Sequence, residues 1–121
     1  MKPNKRIVEL AKEQAEESIY KFRVGAVVYD GNYIMGRGYN DAIKTHPKSP
    51  HPFHSIHAEF AAILNAVGTN GLESVSNARA SIYVHRIKAD GSVGIAKPCI
   101  WCYKMLDQLP IKDVYWSTEY D

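Results

Sequence analysis

The sequence predicts an α/β domain with a mixed sheet flanked by helices, and three observations carry that expectation. Apolar residues recur at helical spacing from 3 to 20, two β-prone runs flank Asp30-Gly31-Asn32, and a strand–helix–strand unit ends the chain. A hairpin pairs antiparallel and a crossover favours parallel pairing, so a sheet holding both is mixed. At 121 residues the chain has the usual size of one domain, and a single domain over 1–121 is expected.

In the first helix Ile7, Leu10, Ala11, Ala15 and Ile19 form the apolar stripe, with Glu and Lys between them, and the stripe suits one face of a sheet. Segments 24–29 and 33–39 are the hairpin strands, since the Asp-Gly step accepts the positive φ of a tight turn. Segment 40–55 holds Pro47, Pro50 and Pro52 among His46, His51 and His54. So much proline excludes helix or central strand and predicts a long loop of the kind that is often functional. A second helix follows over 56–67, beginning at His57 or just before it, with Gly68 and Gly71 as its stop. Ala80, Ile82 and Val84 alternate with Ser81, Tyr83 and His85 as a third strand, and 87–97 reads as a loop. Pro98 suits the first turn of a third helix running to about Leu109, and Val114, Tyr115 and Trp116 make the last strand.

With 45% hydrophobic and 23% charged residues the composition is that of an ordinary globular domain. A net charge of +2 argues against a protein dedicated to duplex nucleic acid, which usually carries a large basic excess. Residues 1–12 mix Lys, Arg and Glu with Ile7, Val8 and Leu10, unlike a signal peptide or a membrane span, so a cytoplasmic location is expected. In such a chain the two cysteines, Cys99 and Cys102, read as a metal or redox pair rather than a structural disulfide.

The two helix starts carry His57-Ala58-Glu59 and Pro98-Cys99-Ile100-Trp101-Cys102. Cysteines three apart at a helix N-terminus project from one face, and the helix dipole favours their thiolate form. With His57 they make a zinc ligand set, and three protein ligands leave a tetrahedral ion one position for water. Glu59, two residues from a ligand, is placed to carry protons between that water and a substrate. A redox pair and a structural zinc knuckle, with His54 or His51 as fourth ligand, are the competing readings of the cysteines. For Glu59 the competing reading is a capping carboxylate.

This H-x-E … P-C-x-x-C pattern is the signature of zinc deaminases, and at these residues the sequence resembles the cytidine and deoxycytidylate deaminase superfamily. The resemblance extends over roughly residues 5 to 117, taking in Gly36-Arg37-Gly38-Tyr39-Asn40, Ile82-Tyr83-Val84 and Val114-Tyr115-Trp116. It implies a three-layer cytidine-deaminase-like fold with four to five strands and zinc held between the starts of the second and third helices. It also implies that Asn40 contacts the sugar or base, that the main chain at Ala58 helps hold the pyrimidine ring, and that the protein is a homo-oligomer. The family's fifth strand has no evident counterpart after 114–116.

Size and charge favour a small-molecule substrate, and a free pyrimidine nucleotide, with dCMP converted to dUMP and ammonia, is the expectation. A base within RNA or DNA is the alternative, followed by a non-catalytic zinc-stabilised binding module. Arg23, Arg37, Lys44, Lys48, Lys88 and Lys97 are candidates for a phosphate contact. Phe53 and Trp101 flank the motifs and are candidates to stack on a base. His46, His51 and His54 are either a polar loop or a second metal or phosphate site.

Overall fold

Asn4 caps the first helix, its Oδ1 accepting the Ile7 N–H at 2.9 Å. The helix, α1 (Lys5–Glu17), is shorter at both ends than the apolar period suggests, because Ser18 turns extended and its hydroxyl donates to the Asn40 carbonyl at 3.0 Å. The structure is a computed structural model and describes residues 2–19, 22–45, 55–78, 80–109 and 111–119. Strands β1 (Arg23–Asp30) and β2 (Tyr33–Tyr39) form the expected antiparallel hairpin around Gly31, whose φ is 60°.

Beyond the hairpin the chain departs from expectation in four places. Asp41–Thr45 (β3) and Ser55–Ile56 (β4) pair antiparallel, so the ends of the expected loop close on each other. Pro47, Pro50 and Pro52 lie outside the described residues. Helix α2 (Ala58–Asn70) runs through Gly68, since a solvent-facing helical glycine costs only about 1 kcal/mol. The break falls at Gly71, at φ 86°, after which a short helix, α3 (Leu72–Asn77), starts that no sequence period announces. Finally, Val93–Gly94 (β6) adds a two-residue strand within the expected loop after β5 (Ser81–Ile87).

Helix α4 (Ile100–Gln108) and strand β7 (Asp113–Trp116) complete the chain. The sheet order is β2-β1-β5, with β7 and β6 sharing the outer edge of β5. β7 runs parallel to Ser81–Val84, as the crossover requires, while β6 pairs antiparallel with Arg86 and Ile87. The sheet therefore has five strands in four positions, with the fifth drawn from the loop before α4 rather than from the segment after β7. Among the described residues, no helix is long and apolar enough to cross a membrane.

Strand alternation sends successive side chains to opposite faces. Val27, Tyr29 and Tyr83 pack with Ile7 and Ala11 of α1. Ala26, Val28, Ile82 and Val84 pack on the other face with Ala58, Ala62, Ile63 and Ala66 of α2, Val75 of α3 and Leu106 of α4. The result is three layers, with α1 alone on one face and three helices on the other.

At Gly36 of β2 a Cβ would lie 2.4 Å from the Ala66 nitrogen, so α2 lies almost directly on the strand backbone. That contact sets the height of α2, and with it His57, above the sheet. Gly36→Ala should cost at least about 2 kcal/mol in denaturant unfolding. Gly68→Ala, at a helical position with nothing within 4 Å of the added Cβ, should instead raise stability by up to about 1 kcal/mol.

Candidate metal centre

His57 is the N-cap of α2 and Cys99 the N-cap of α4. The fold brings these two helix starts together: His57 Nδ1 lies 3.7 Å from Cys99 Sγ and 3.8 Å from Cys102 Sγ. All three donor atoms fall within 4.8 Å of one another. The N-cap and third helical residue face each other across the first turn, the spacing that otherwise makes a capping box. Here it pairs two sulfurs. Zn–S bonds near 2.3 Å and Zn–N bonds near 2.05 Å at tetrahedral angles put neighbouring donors about 3.6 Å apart. The observed spacings fit that ion.

The electrostatics fit as well. Burial holds the His57 imidazole below its usual pKa, so it is neutral and able to coordinate near pH 7. Cys102 is fully buried, and burial, then Glu59, then Cys99, push its thiol far above the usual range. A cation between the sulfurs reverses this by favouring the thiolate. Glu59, second residue of α2, is 4% exposed, and burial raises its carboxyl despite hydrogen bonds from its own N–H and from Cys102. A buried, raised carboxyl within reach of a metal ligand is suited to holding and moving a proton.

His57, Glu59 and Cys99 line a cavity of about 650 Å³ with Ala58, Asn40, Asp41, Val24, Phe22, Arg86 and the strap 95–97. That volume lies within the roughly 300–1,000 Å³ of small-ligand sites. Ala58 is the first residue of α2, so its N–H has no partner within the helix. Asn40 also lines the cavity, but its side chain is engaged with the backbone: Oδ1 accepts the Val24 N–H at 2.9 Å and Nδ2 donates to the Phe22 carbonyl. One amide N–H remains for a ligand.

The structure does not bring Trp101 to the cavity. Cys102 points inward, which turns its neighbour outward: Trp101 is 44% exposed and sits in a separate groove with Phe60, Ile63 and Met105. Phe53, His46, His51, His54 and Lys48 lie outside the described residues. Of the cations singled out in the sequence, Lys97 lines the cavity, Arg37 is exposed on β2, Arg23 reaches the Lys88 carbonyl, and Lys88 pairs with Glu119 at 3.3 Å.

Arg86 and Ser117 were missed in the sequence, as were Phe22 and Asp41 of the cavity wall. Arg86 lines the cavity from β5, where strand alternation carried two residues further would have placed it on the same face as Ile82 and Val84. Ser117, fully buried, fastens the strap: its hydroxyl accepts the Arg86 N–H at 3.1 Å and donates to the Gly94 carbonyl at 2.8 Å. Its backbone N–H donates to the Val84 carbonyl, and its carbonyl accepts the Ala96 N–H. No sequence signal distinguishes it from an ordinary serine after a strand.

Residues 1–118 match the model of the cytidine and deoxycytidylate deaminase zinc-binding region. The chain belongs to this deaminase family. The family's region binds zinc, and His57, Cys99 and Cys102, the one cluster of metal-ligating groups among the described residues, are positioned to hold the ion. No curated protein matches the chain by sequence. Among solved structures, the dCMP deaminase of cyanophage S-TIM5 is similar with a TM-score of 0.66 at 24% identity, over 100% of this chain and 88% of that one. The cytidine deaminase of Mycobacterium tuberculosis is similar at 0.54 and 18%, over 90% and 80%. The guanine deaminase of Bacillus subtilis is similar at 0.52 and 22%, over 94% and 60%. At these identities the likeness establishes a shared fold.

Purified protein should bind one zinc per chain, and its melting temperature should rise with zinc and fall on chelation. Cys102→Ser should weaken zinc binding by more than about 100-fold in a competition titration, since even outer-shell changes commonly cost 10–100-fold. Ser117→Ala, which strands the Arg86 N–H, should lower stability by about 1–3 kcal/mol in chemical denaturation.

Proposed function

We propose that the protein hydrolytically deaminates a cytosine-type base in a free pyrimidine nucleotide, converting dCMP to dUMP and releasing ammonia. The observation that carries this reading is the Glu59 carboxyl, buried beside Cys102 and lining the same cavity as His57 and Cys99. Zinc held by His57, Cys99 and Cys102 would supply Lewis acidity, lowering the pKa of water far enough to make a nucleophile available at neutral pH.

The chain's own groups do the rest. Glu59 takes a proton from the attacking water and delivers it to N3 of the ring, and then carries the second proton to the 4-amino group, which leaves as ammonia. One carboxyl can serve both transfers because burial lifts it toward the pH at which it works. The free N–H of Ala58 at the start of α2 is a donor for the base carbonyl, aided by the helix dipole. The remaining Asn40 N–H is a donor for the sugar. A cavity of about 650 Å³ and a net charge of only +2 support a free nucleotide over a polymer.

Glu59→Gln should cut ammonia release from dCMP by at least about 10²–10⁴-fold while zinc content stays at one per chain. Loss of the cytosine absorbance in zinc-loaded protein is the measurement. Turnover persisting in this variant would remove Glu59 from the chemistry, and no turnover of any cytosine nucleoside, nucleotide or oligonucleotide by the parent would remove the reading itself.

A further inference from the structure

Ile82, Val84 and Arg86 form one row on the face of β5 that carries the cavity, and the row changes abruptly from two buried apolar side chains to a guanidinium. Arg86 is held from three sides. Its backbone N–H is fixed by Ser117, and its register partners are Val24 on β1 and Gly94 on β6. A Cβ at Gly94 would approach Arg86 Cδ to 3.1 Å, so the arginine stem crosses the strand where glycine leaves the space. Its guanidinium carbon then lies 5.1 Å from the centroid of the Phe22 ring, itself part of the cavity wall.

A stem so guided and a head so stacked define a single pose, yet the head is not satisfied in it. Among the described residues Arg86 makes no ion pair through its side chain, and its Nε is buried with no hydrogen-bond partner. A π-face steadies the cation but accepts none of its in-plane N–H groups. Leaving a buried donor without a partner is costly, more so when it is charged, so a pose like this persists where a ligand completes it. The planar fork matches two oxygens of one anion, and Lys97 adds a second positive charge to a cavity wall that also holds the acidic side chains of Asp41 and Glu59.

From this geometry we infer that Arg86 determines substrate specificity by gripping the phosphate of the substrate, so that the site takes a nucleoside monophosphate in preference to the bare nucleoside. The inference rests on the reading of the cavity as a cytosine-nucleotide site and assigns the phosphate end of it. Phe22 orients the fork, Gly94 gives its stem passage, and Ser117 sets its height on the strand.

The test is calorimetric binding to the zinc-loaded Glu59→Gln protein, which separates recognition from turnover. It should bind dCMP at least about 10-fold more tightly than deoxycytidine. Adding Arg86→Gln should weaken dCMP about 10- to 100-fold and deoxycytidine by less than threefold, with Arg86→Lys in between because a point charge replaces the fork. A dCMP advantage that survives Arg86→Gln, or an equal loss for both ligands, overturns the assignment. So does a short cytosine oligonucleotide lacking terminal phosphates that binds as tightly as dCMP with the same dependence on Arg86, since the phosphate would then be a polymer diester. If neither dCMP nor deoxycytidine binds, inorganic phosphate titrated into the same proteins decides. Phosphate binding lost in Arg86→Gln keeps the anion site while the cytosine reading falls, and no phosphate binding overturns both.

Discussion

His57 and Cys99 are 42 residues apart in sequence and their donor atoms 3.7 Å apart in space, and each is the residue that begins a helix. Holding two helix N-termini that close constrains almost everything else, because two positive dipole ends and a buried carboxyl must coexist in one place. Thiolates at the start of α4 and Glu59 at the start of α2 answer the dipoles, and a divalent cation between them answers the thiolates. Burial raises both the Cys102 thiol and the Glu59 carboxyl, and a cation beside them favours the ionised forms. Binding of the metal therefore does two things at once: it fastens α2 to α4 and sets the protonation of the groups beside it.

The sheet divides its two faces accordingly. On the α1 side, Val27, Tyr29 and Tyr83 close an apolar layer with Ile7 and Ala11. On the other, β1 and β5 present Val24, Val84 and Arg86 to the cavity, so the strand ends supply its wall while the helices supply its reactive groups. Asn40 links the two sides. Its side chain grips the backbone at Phe22 and Val24, and its carbonyl receives the hydroxyl of Ser18 at the end of α1. The amide expected to contact substrate is thus a fastener of the wall.

What could be read in the sequence was whatever is written in nearest neighbours. The apolar stripe, apart from its last member Ile19, which is exposed beyond the end of α1, the Asp30-Gly31 turn and the paired motifs at His57 and Pro98 are local patterns with a local physical cause, and each reappears in the structure. Most of the features that escaped notice depend on pairing between distant segments. β6 exists because Arg86 and Ile87 offer an edge that β7 has already left, and α3 because Gly71 resets the backbone. Arg86 was passed over because the alternation of β5 was followed only as far as His85, and Ser117 because its importance lies in four partners contributed by other strands and by the strap. Trp101 shows the converse. Proximity to Cys102 in sequence suggested a contact with substrate, but one step along a helix is a turn of about 100° away from it.

The seam at Ser117 joins β7 and β6 along the same edge of β5, and it lies downstream of the turn at Lys88–Ser92. That turn closes on itself, Lys88 N–H donating to the Ser92 carbonyl and Gly91 N–H to the Lys88 carbonyl. The seam then re-anchors the chain at Gly94 and Ala96 before it reaches Cys99. Length is therefore free at the turn and fixed at the cysteines. Residues added around Asp90 would enlarge a hairpin tip in solvent and leave the ligands in register, which makes this turn the natural place for the chain to vary, or to carry a label, without disturbing its metal.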